Sequence, residues 1–481
     1  MSPYLVLGIV LGYFLILILI SQITSRNADT QAFFTANRKS PWYLVAFGMV
    51  GATLSGVTFI SVPGEVGNSA FSYLQFVLGN VVGYWLVAGF LLPMYYRLNL
   101  VSIYSFLEQR FGPRSYKTGS FFFLISKLIG AAFRLFLVAG VLQIAFFDAF
   151  HIPFTLTVVL TIALIWIYTF RGGIKTIVWT DTLQTLFLVS AVIFTIVAIS
   201  RSLDLNFSRL IREVYTDPNS TIFFWDWRSG DHFLKQFLAG MFITIVMVGM
   251  DQDMMQKNLT CKNKKEAQKN MLVFSASFLV TVILFLSLGV LLYIFAKEHG
   301  IALPENSDDL YPMLALQHFG IPVGIAFLLG ITAAAYSSAD SALTALTTSF
   351  SIDFLKIERF EEHKRRRIKK WSHLMFSVLL IVVILLFRAI NNQSIVVAVF
   401  KVAGYTYGPI LGLFVFGMFT RRKVKDKWVP LVAVISPVLC YLISINSALL
   451  FNGYQFGFEL LILNGLITFA GLLIISKKDA Q

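Results

Sequence analysis

The sequence predicts an all-α integral membrane protein of about thirteen transmembrane helices, and three observations lead there. The first is composition: of 481 residues 57% are hydrophobic and 13% charged, with a mean hydropathy of +0.75. A soluble domain carries about 25% charged residues, so soluble, fibrous and disordered classes are excluded. The second is a series of apolar runs, most of them near the roughly 20 residues that a helix needs to cross a hydrocarbon core of about 30 Å. The third is the charge of the loops between them, which alternates between basic and acidic or neutral as the positive-inside rule requires. The net charge of +14 therefore reads as cationic cytoplasmic loops and not as a nucleic-acid footprint.

The runs lie near 3–21, 41–62, 71–96, 119–148, 152–170, 179–200, 232–255, 270–296, 321–349, 371–390, 394–419, 427–447 and 455–476. The first lacks a basic leader and a small-residue cleavage site, so it reads as a retained helix and not a signal peptide. Basic loops follow alternate runs: Arg26, Arg38 and Lys39; Arg97, Arg110, Arg114 and Lys117; Arg171 and Lys175. Lys257, Lys262, Lys264, Lys265 and Lys269 continue the series, as do EEHKRRRIKK (361–370), RRKVKDK (421–427) and the terminal KKDAQ. The loops between hold Glu65, Asp148, the stretch 201–231 and ENSDD (305–309). The N-terminus is thus predicted outside and the C-terminus inside, in a prokaryotic plasma membrane on the absence of other targeting signals. The outer loop 201–231 has the length to pack a short helix over the mouth. The basic run 356–370 reads as a solvated face that fixes orientation, or as an amphipathic surface helix. Cys261 and Cys440 have no metal-ligand spacing and predict no disulfide.

Two runs are interrupted. FGMVGATLSGVTFISVPG (47–64) sets Gly48, Gly51, Gly56 and Pro63 among Thr53, Ser55 and Thr58. Breaking a helix there frees backbone carbonyls near the midplane, which is tolerated only where they are buried or line a wet cavity. Half-helix ends of this kind hold ions and polar solutes in secondary transporters; a kinked packing helix is the other reading. LAGMFITIVMVGMDQDMMQ (238–256) is the corresponding opening helix of a second half, with weaker breaks at Gly240, Thr244 and Gly249. The loop charges start these two runs on opposite sides of the membrane, the parity an inverted repeat requires. The expected organisation is 1–40, an extra helix and loop; 41–200, five helices; 201–231, an outer loop; 232–422, five helices; and 423–481, two extra helices.

The ninth run, AAAYSSADSALTALTTSF (333–350), is polar where it should be apolar. Ala334, Ser337, Ser338 and Ser341 recur at i, i+3, i+4 and i+7 on one helical face, and Asp340 borders it. A hard cation such as sodium takes several oxygens, and this stripe supplies them; a serine face alone is also ordinary helix-to-helix glue. The intramembrane Asp340 favours a site. Asp181, in YTFRGGIKTIVWTDTLQ (168–184), is a second acid at the start of the sixth run, by itself also readable as an interfacial cap.

YTFRGGIKTIVWTDTLQ resembles the Tyr-Thr, Gly-Gly, Trp-Thr-Asp, Gln signature of the sodium:solute symporter family. GATLSGVTFISVP, GMDQDMMQKNLTCKNKKEAQ (249–268), AAAYSSADSAL and GPILGLFVFGMFTRR (408–422) are similar to its other motifs, in order, from about residue 40 to 422. The resemblance implies the leucine-transporter fold of five-plus-five inverted repeats, itself a standard example of broken-helix transporters. It implies sodium-coupled import of a small polar solute by alternating access. The family's main sodium site carries over to the backbone carbonyls of Gly51, Leu54 and Ala334 with the hydroxyls of Ser337 and Ser338. A second sodium, held by some members including sialic acid transporters, carries over to Asp181, Ser337, Asp340 and Ser341. Asp340 departs from the small hydroxyl residue found there, and two carboxylates can instead share a proton.

The resemblance puts the solute among the second, third, fourth, seventh and eleventh runs, with Ser55, Thr58, Gln75, Asn80, Arg134 and Lys401 as candidates. Arg134 suits a solute carboxylate, which a guanidinium pairs bidentately, or else an internal salt bridge. Thr-Leu-Ser-x-x-Thr-Phe (53–59) is similar to the matching stretch of sialic acid transporters; sugars, sugar acids and amino acids stay open. Proton coupling and a solute-sensing transceptor are the alternatives, and a channel would conduct sodium without solute. No enzyme is expected: the six histidines, His151, His299, His318 and His363 among them, fall in predicted loops or ends, away from the serine stripe.

Overall fold

A helix lies on each of the thirteen apolar runs. The structure, a computed structural model, describes residues 3–26, 30–145, 147–390, 395–454 and 456–477. In chain order the main helices are α1 (Pro3–Thr24), α2 (Trp42–Thr53), α3 (Gly56–Ser69), α4 (Ser72–Leu86, running on to Arg97), α5 (Pro113–Ala145), α6 (Phe154–Gly172) and α7 (Ile174–Ser202). There follow α8 (Phe233–Thr244), α9 (Gln252–Asn258), α10 (Lys264–Glu298), α11 (Ile321–Ser349), α12 (Glu362–Ile390), α13 (Ile395–Phe419), α14 (Val429–Ile445) and α15 (Leu460–Ile475). Among the described residues nine helices are long and apolar enough to cross a membrane. Counting α2 with α3 and α8 with α9 as bent spans raises the number to eleven. Phe154–Phe170 and Leu460–Ile474 are shorter apolar helices.

Helix α11 is the interior post. Of its membrane-length window 72% is buried, against 28% for α1 and 22% for α14. It packs most extensively on α7 and α5 and also touches α2 and α3. Aliphatic and aromatic side chains on α1, α12 and α14 face outward, as lipid-contacting helices must. Glycines bring the buried helices close. A Cβ on Gly79 of α4 would meet the Phe237 carbonyl oxygen at 2.0 Å, and one on Gly240 of α8 would meet that of Phe76 at 2.0 Å. Each helix therefore presses a glycine onto the other's backbone, the small-residue contact through which apolar helices approach most nearly.

Both predicted interruptions are breaks. The α2–α3 pair bends by 55° and the α8–α9 pair by 69°. The second break follows a widened turn, Ile245–Gly249, and falls at Met250–Asp251, beyond Gly240 and Thr244. Its freed carbonyls are met by buried phenols: Tyr95 donates to Gly249 O at 2.7 Å and Tyr104 to Met250 O at 2.9 Å. Asp251 caps α9 by accepting from the Asp253 amide at 2.9 Å.

Loop 201–231 carries a short helix, Phe207–Thr216, and lies against α4, where the Phe224 amide donates to Gln75 Oε1 at 3.2 Å. The basic run 361–370 is not a separate surface helix, because Glu362 onward is the first part of α12. The side chain of Arg171 and the terminal residues 478–481 lie outside the described residues. Cys261 and Cys440 are free and buried.

Candidate solute and cation site

The site begins at the break between α2 and α3. In an unbroken helix the Ser55 amide would serve the Gly51 carbonyl; here it turns to Thr53 O at 3.0 Å. Leu54 leaves the helical region, with φ −77° and ψ 75°. Close approach to α7 fixes the place of the break. The Gly51 amide donates to Thr185 Oγ1 at 3.0 Å, and that hydroxyl donates in turn to Asp181 O at 2.8 Å. A Cβ on Gly51 would sit 2.3 Å from Thr185 Oγ1, so the glycine admits the contact.

The stripe on α11 faces this break. Ser338 Oγ reaches Ala52 O at 3.4 Å, a long contact that leaves most of its hydrogen-bonding capacity unspent. Ser337 Oγ donates to Asp181 Oδ1 at 2.7 Å. Its proton thus committed, its lone pairs remain available as a cation ligand. Gly51, Leu54, Ala334, Ser337 and Ser338 are all buried on the facing surfaces of α2, the break and α11.

The second acidic set is divided. Lys257 Nζ, on α9, lies 2.7 Å from Asp181 Oδ2, and both side chains are almost wholly buried. Asp340 forms no ion pair among the described residues; its carboxylate accepts from Tyr168 at 2.8 Å and Ser341 at 3.3 Å. Asp181 therefore already holds a cation from the chain itself. The sequence reading placed Lys257 among cytoplasmic loop charges, whereas it is 1% exposed inside the short helix after the second break.

Above the break opens a cavity of about 390 Å³. Ser55, Thr58, Asn80 and Arg134 line it, as do Thr53, Lys127 and Asp253. It runs out to Glu65, Asp231 and Asp308, on the side of the acidic loops, where burial raises both aspartates above the ordinary carboxylate value. Asn80, with its amide oriented to donate, reaches Gly240 O at 2.9 Å and Thr244 Oγ1 at 3.1 Å. Lys127 is paired, to Asp253 at 2.6 Å and Asp251 at 3.5 Å, and Tyr407 donates to Asp251 at 2.5 Å. Arg134 forms no ion pair among the described residues. Gln75 and Lys401 stand apart from the cavity. Gln75 is buried and donates to Asp231 O at 2.9 Å, and Lys401 is exposed. Of the histidines, His373 lies inside α12 and not in a loop, buried between Thr169 at 3.0 Å and Thr347 at 2.9 Å.

The model of the sodium:solute symporter family matches residues 33–426, from before α2 into the loop after α13. This chain belongs to that family. Among curated relatives the symporter is 28% identical over 431 residues to the sodium/sialic acid symporter of Aliivibrio fischeri, covering 86% of this chain and 83% of the relative. It is 25% identical over 436 residues to that of Proteus mirabilis, covering 86% and 84%. In fold the symporter is similar to a sodium-coupled sialic acid symporter solved substrate-bound and outward-open, with a TM-score of 0.81, 20% identity and coverage of 98% and 99%. A second structure, a nucleobase-cation-symport-1 family transporter in a closed conformation, gives a TM-score of 0.57 at 14% identity, covering 94% of each chain.

The symporter's fold is thus the inverted-repeat transporter fold, in a multi-pass membrane protein that couples sodium to solute. Lys257, Tyr168, Thr185, Lys127 and Asp253 join the predicted residues. Of these, Lys257 and Asp253 carried a signal, since both follow a predicted helix break. Tyr168 opens the motif YTFRGGIKTIVWTDTLQ, but its partner, like that of Thr185, depends on how α6, α7 and α11 cross.

Proposed function

We propose that this chain is a plasma-membrane symporter that imports a small carboxylated polar solute, a sugar acid such as sialic acid or an amino acid, with sodium. Arg134 carries the proposal: an arginine without an ion pair among the described residues, in a cavity that ends on a broken helix. A guanidinium that faces a cavity without an ion pair of its own among the described residues can take an anion from outside the chain, and a carboxylate matches its two parallel donors. The two bacterial relatives named for sodium/sialic acid symport agree with this choice.

Sodium takes the carbonyls of Gly51, Leu54 and Ala334 and the hydroxyls of Ser337 and Ser338. It thereby ties α2 to α11 and shapes the wall that carries Ser55 and Thr58, so ion and solute raise each other's affinity by one factor. Inward movement of the charge gains about 2.3 kcal/mol per 100 mV. Coupling is to one sodium, because Lys257 neutralises Asp181. The N-terminus faces outside and the C-terminus the cytoplasm, and no residue is assigned a catalytic role.

One observation favours a second reading. Asp340 is buried with two hydroxyl donors and, among the described residues, no ion pair, so a proton there would give proton coupling on the same fold. Uptake of labelled sialic acid into proteoliposomes separates the two. An inward sodium gradient drives accumulation at constant pH, and Arg134→Gln raises the half-saturation concentration about 30-fold or more, the loss expected on truncating one partner of a buried charge pair. Uptake driven by a pH gradient in sodium-free buffer would instead establish proton coupling.

A further inference from the structure

A second large cleft lies on the side of the basic loops. It measures about 880 Å³, and Arg359, Lys364 and Arg367 line it together with Phe350, Trp371 and Met375. Most neighbouring cations of the basic run are engaged. Arg365 donates to Phe360 O at 2.5 Å and Glu358 O at 2.6 Å, Arg366 pairs with Glu362 at 3.2 Å, and Lys369 stands over the Phe33 ring at 4.4 Å. Lys364 stacks on Phe360 at 4.1 Å. Among the described residues Arg359 and Arg367 form neither an ion pair nor a side-chain hydrogen bond. Glu361 also lines the cleft, and the cations outnumber it.

The position of the cleft along α12 says what these two arginines face. Basic residues 364–370 end at Trp371, 61% exposed, and below it the exposed stripe continues through Met375, Val378, Val382 and Leu386. Tryptophan marks the boundary between headgroups and hydrocarbon. A soluble anion would use the arginines and leave the stripe bare; a phospholipid uses both. We propose that this cleft binds an anionic phospholipid, its phosphate between Arg359 and Arg367 and its chains along Met375 to Leu386. The headgroup then also touches Phe350, in the last turns of the helix that carries the polar stripe. On the far side of those turns Asp353 is held by Tyr116, Ser120 and Ser349.

The test is thermal melting of the purified full chain in neutral detergent, titrated with dioleoylphosphatidylglycerol, dioleoylphosphatidylcholine or glycerol 3-phosphate. Phosphatidylglycerol raises the melting temperature at concentrations where phosphatidylcholine does not, and glycerol 3-phosphate has no effect. Arg359→Gln with Arg367→Gln shifts the phosphatidylglycerol midpoint about thirtyfold, the loss expected for two charges at a membrane surface. Arg359→Lys with Arg367→Lys keeps the midpoint within a few-fold, and both pairs melt like the parent without lipid. Equal responses to the two lipids, a response to glycerol 3-phosphate that matches phosphatidylglycerol, or a full response in the glutamine pair would each overturn the proposal.

Discussion

Lys257 and Ser338 mark the two ends of what single residues reveal here. Lys257 gives its charge to Asp181 at 2.7 Å, with both side chains almost wholly buried. Removing one partner of such a pair strands a buried charge and costs about 3–5 kcal/mol. Lys257→Met is therefore expected to lower the melting point strongly, and Lys257→Met with Asp181→Asn to regain most of the loss; equal loss in the double variant would mean that packing, not charge, sets the effect. Among the described residues Ser338 makes a single, long side-chain contact, to Ala52 O, so Ser338→Ala should leave the fold intact. Losing a ligand oxygen, worth about 1.5 kcal/mol for a bond to a charged group, raises the sodium concentration for half-maximal uptake roughly tenfold. Unchanged sodium activation would remove Ser338 from the site. The serine stripe and Asp181 were legible because period and polarity inside an apolar run need no tertiary information. The Lys257–Asp181 pair was not, because the lysine's burial depends on the second break tucking α9 beneath α2.

At the scale of elements, glycines and prolines placed both interruptions within a few residues. The first follows a point where α2 touches the backbone of α7, so the glycines that allow the contact also marked it. Of the three positions read for the second, Gly249 is the one the break follows directly, while Gly240 serves the α4–α8 contact. Tyr95 and Tyr104 make that break tolerable. Tyr104→Phe leaves the Met250 carbonyl buried and unpaired, a penalty of about 1–3 kcal/mol. It is expected to destabilise the protein in a melting experiment while sodium affinity stays within twofold. A large loss of sodium affinity would show instead that the second break is part of the ion site. Neither phenol was foreseeable: Tyr95 is an ordinary tyrosine at the end of its run and Tyr104 one in the loop that follows, and only the crossing of α4 and of that loop over α8 brings them to the carbonyls.

For the molecule as a whole, the cavity is open toward the acidic loops and closed toward the basic ones. The closure consists of Lys127 on Asp251 and Asp253, Gln256 on Phe34 O at 2.7 Å and Thr348 at 3.1 Å, and the hydroxyls gathered on Asp353. Alternating access requires these ties to part while the mouth around Glu65, Asp231 and Asp308 shuts. A cysteine at Thr58 reports on that exchange, since it stands in the cavity wall and the native Cys261 and Cys440 are both buried. In right-side-out vesicles, Thr58→Cys should react with an impermeant thiol reagent several-fold faster than the parent. Sodium should speed the reaction by holding the outward-open arrangement, and solute added with sodium should suppress it. Outside is the side the loop charges predict, so labelling confined to inside-out vesicles would reverse the orientation read from the arginines and lysines. Labelling from outside that solute fails to suppress would keep the orientation and move the solute away from the α2–α3 break.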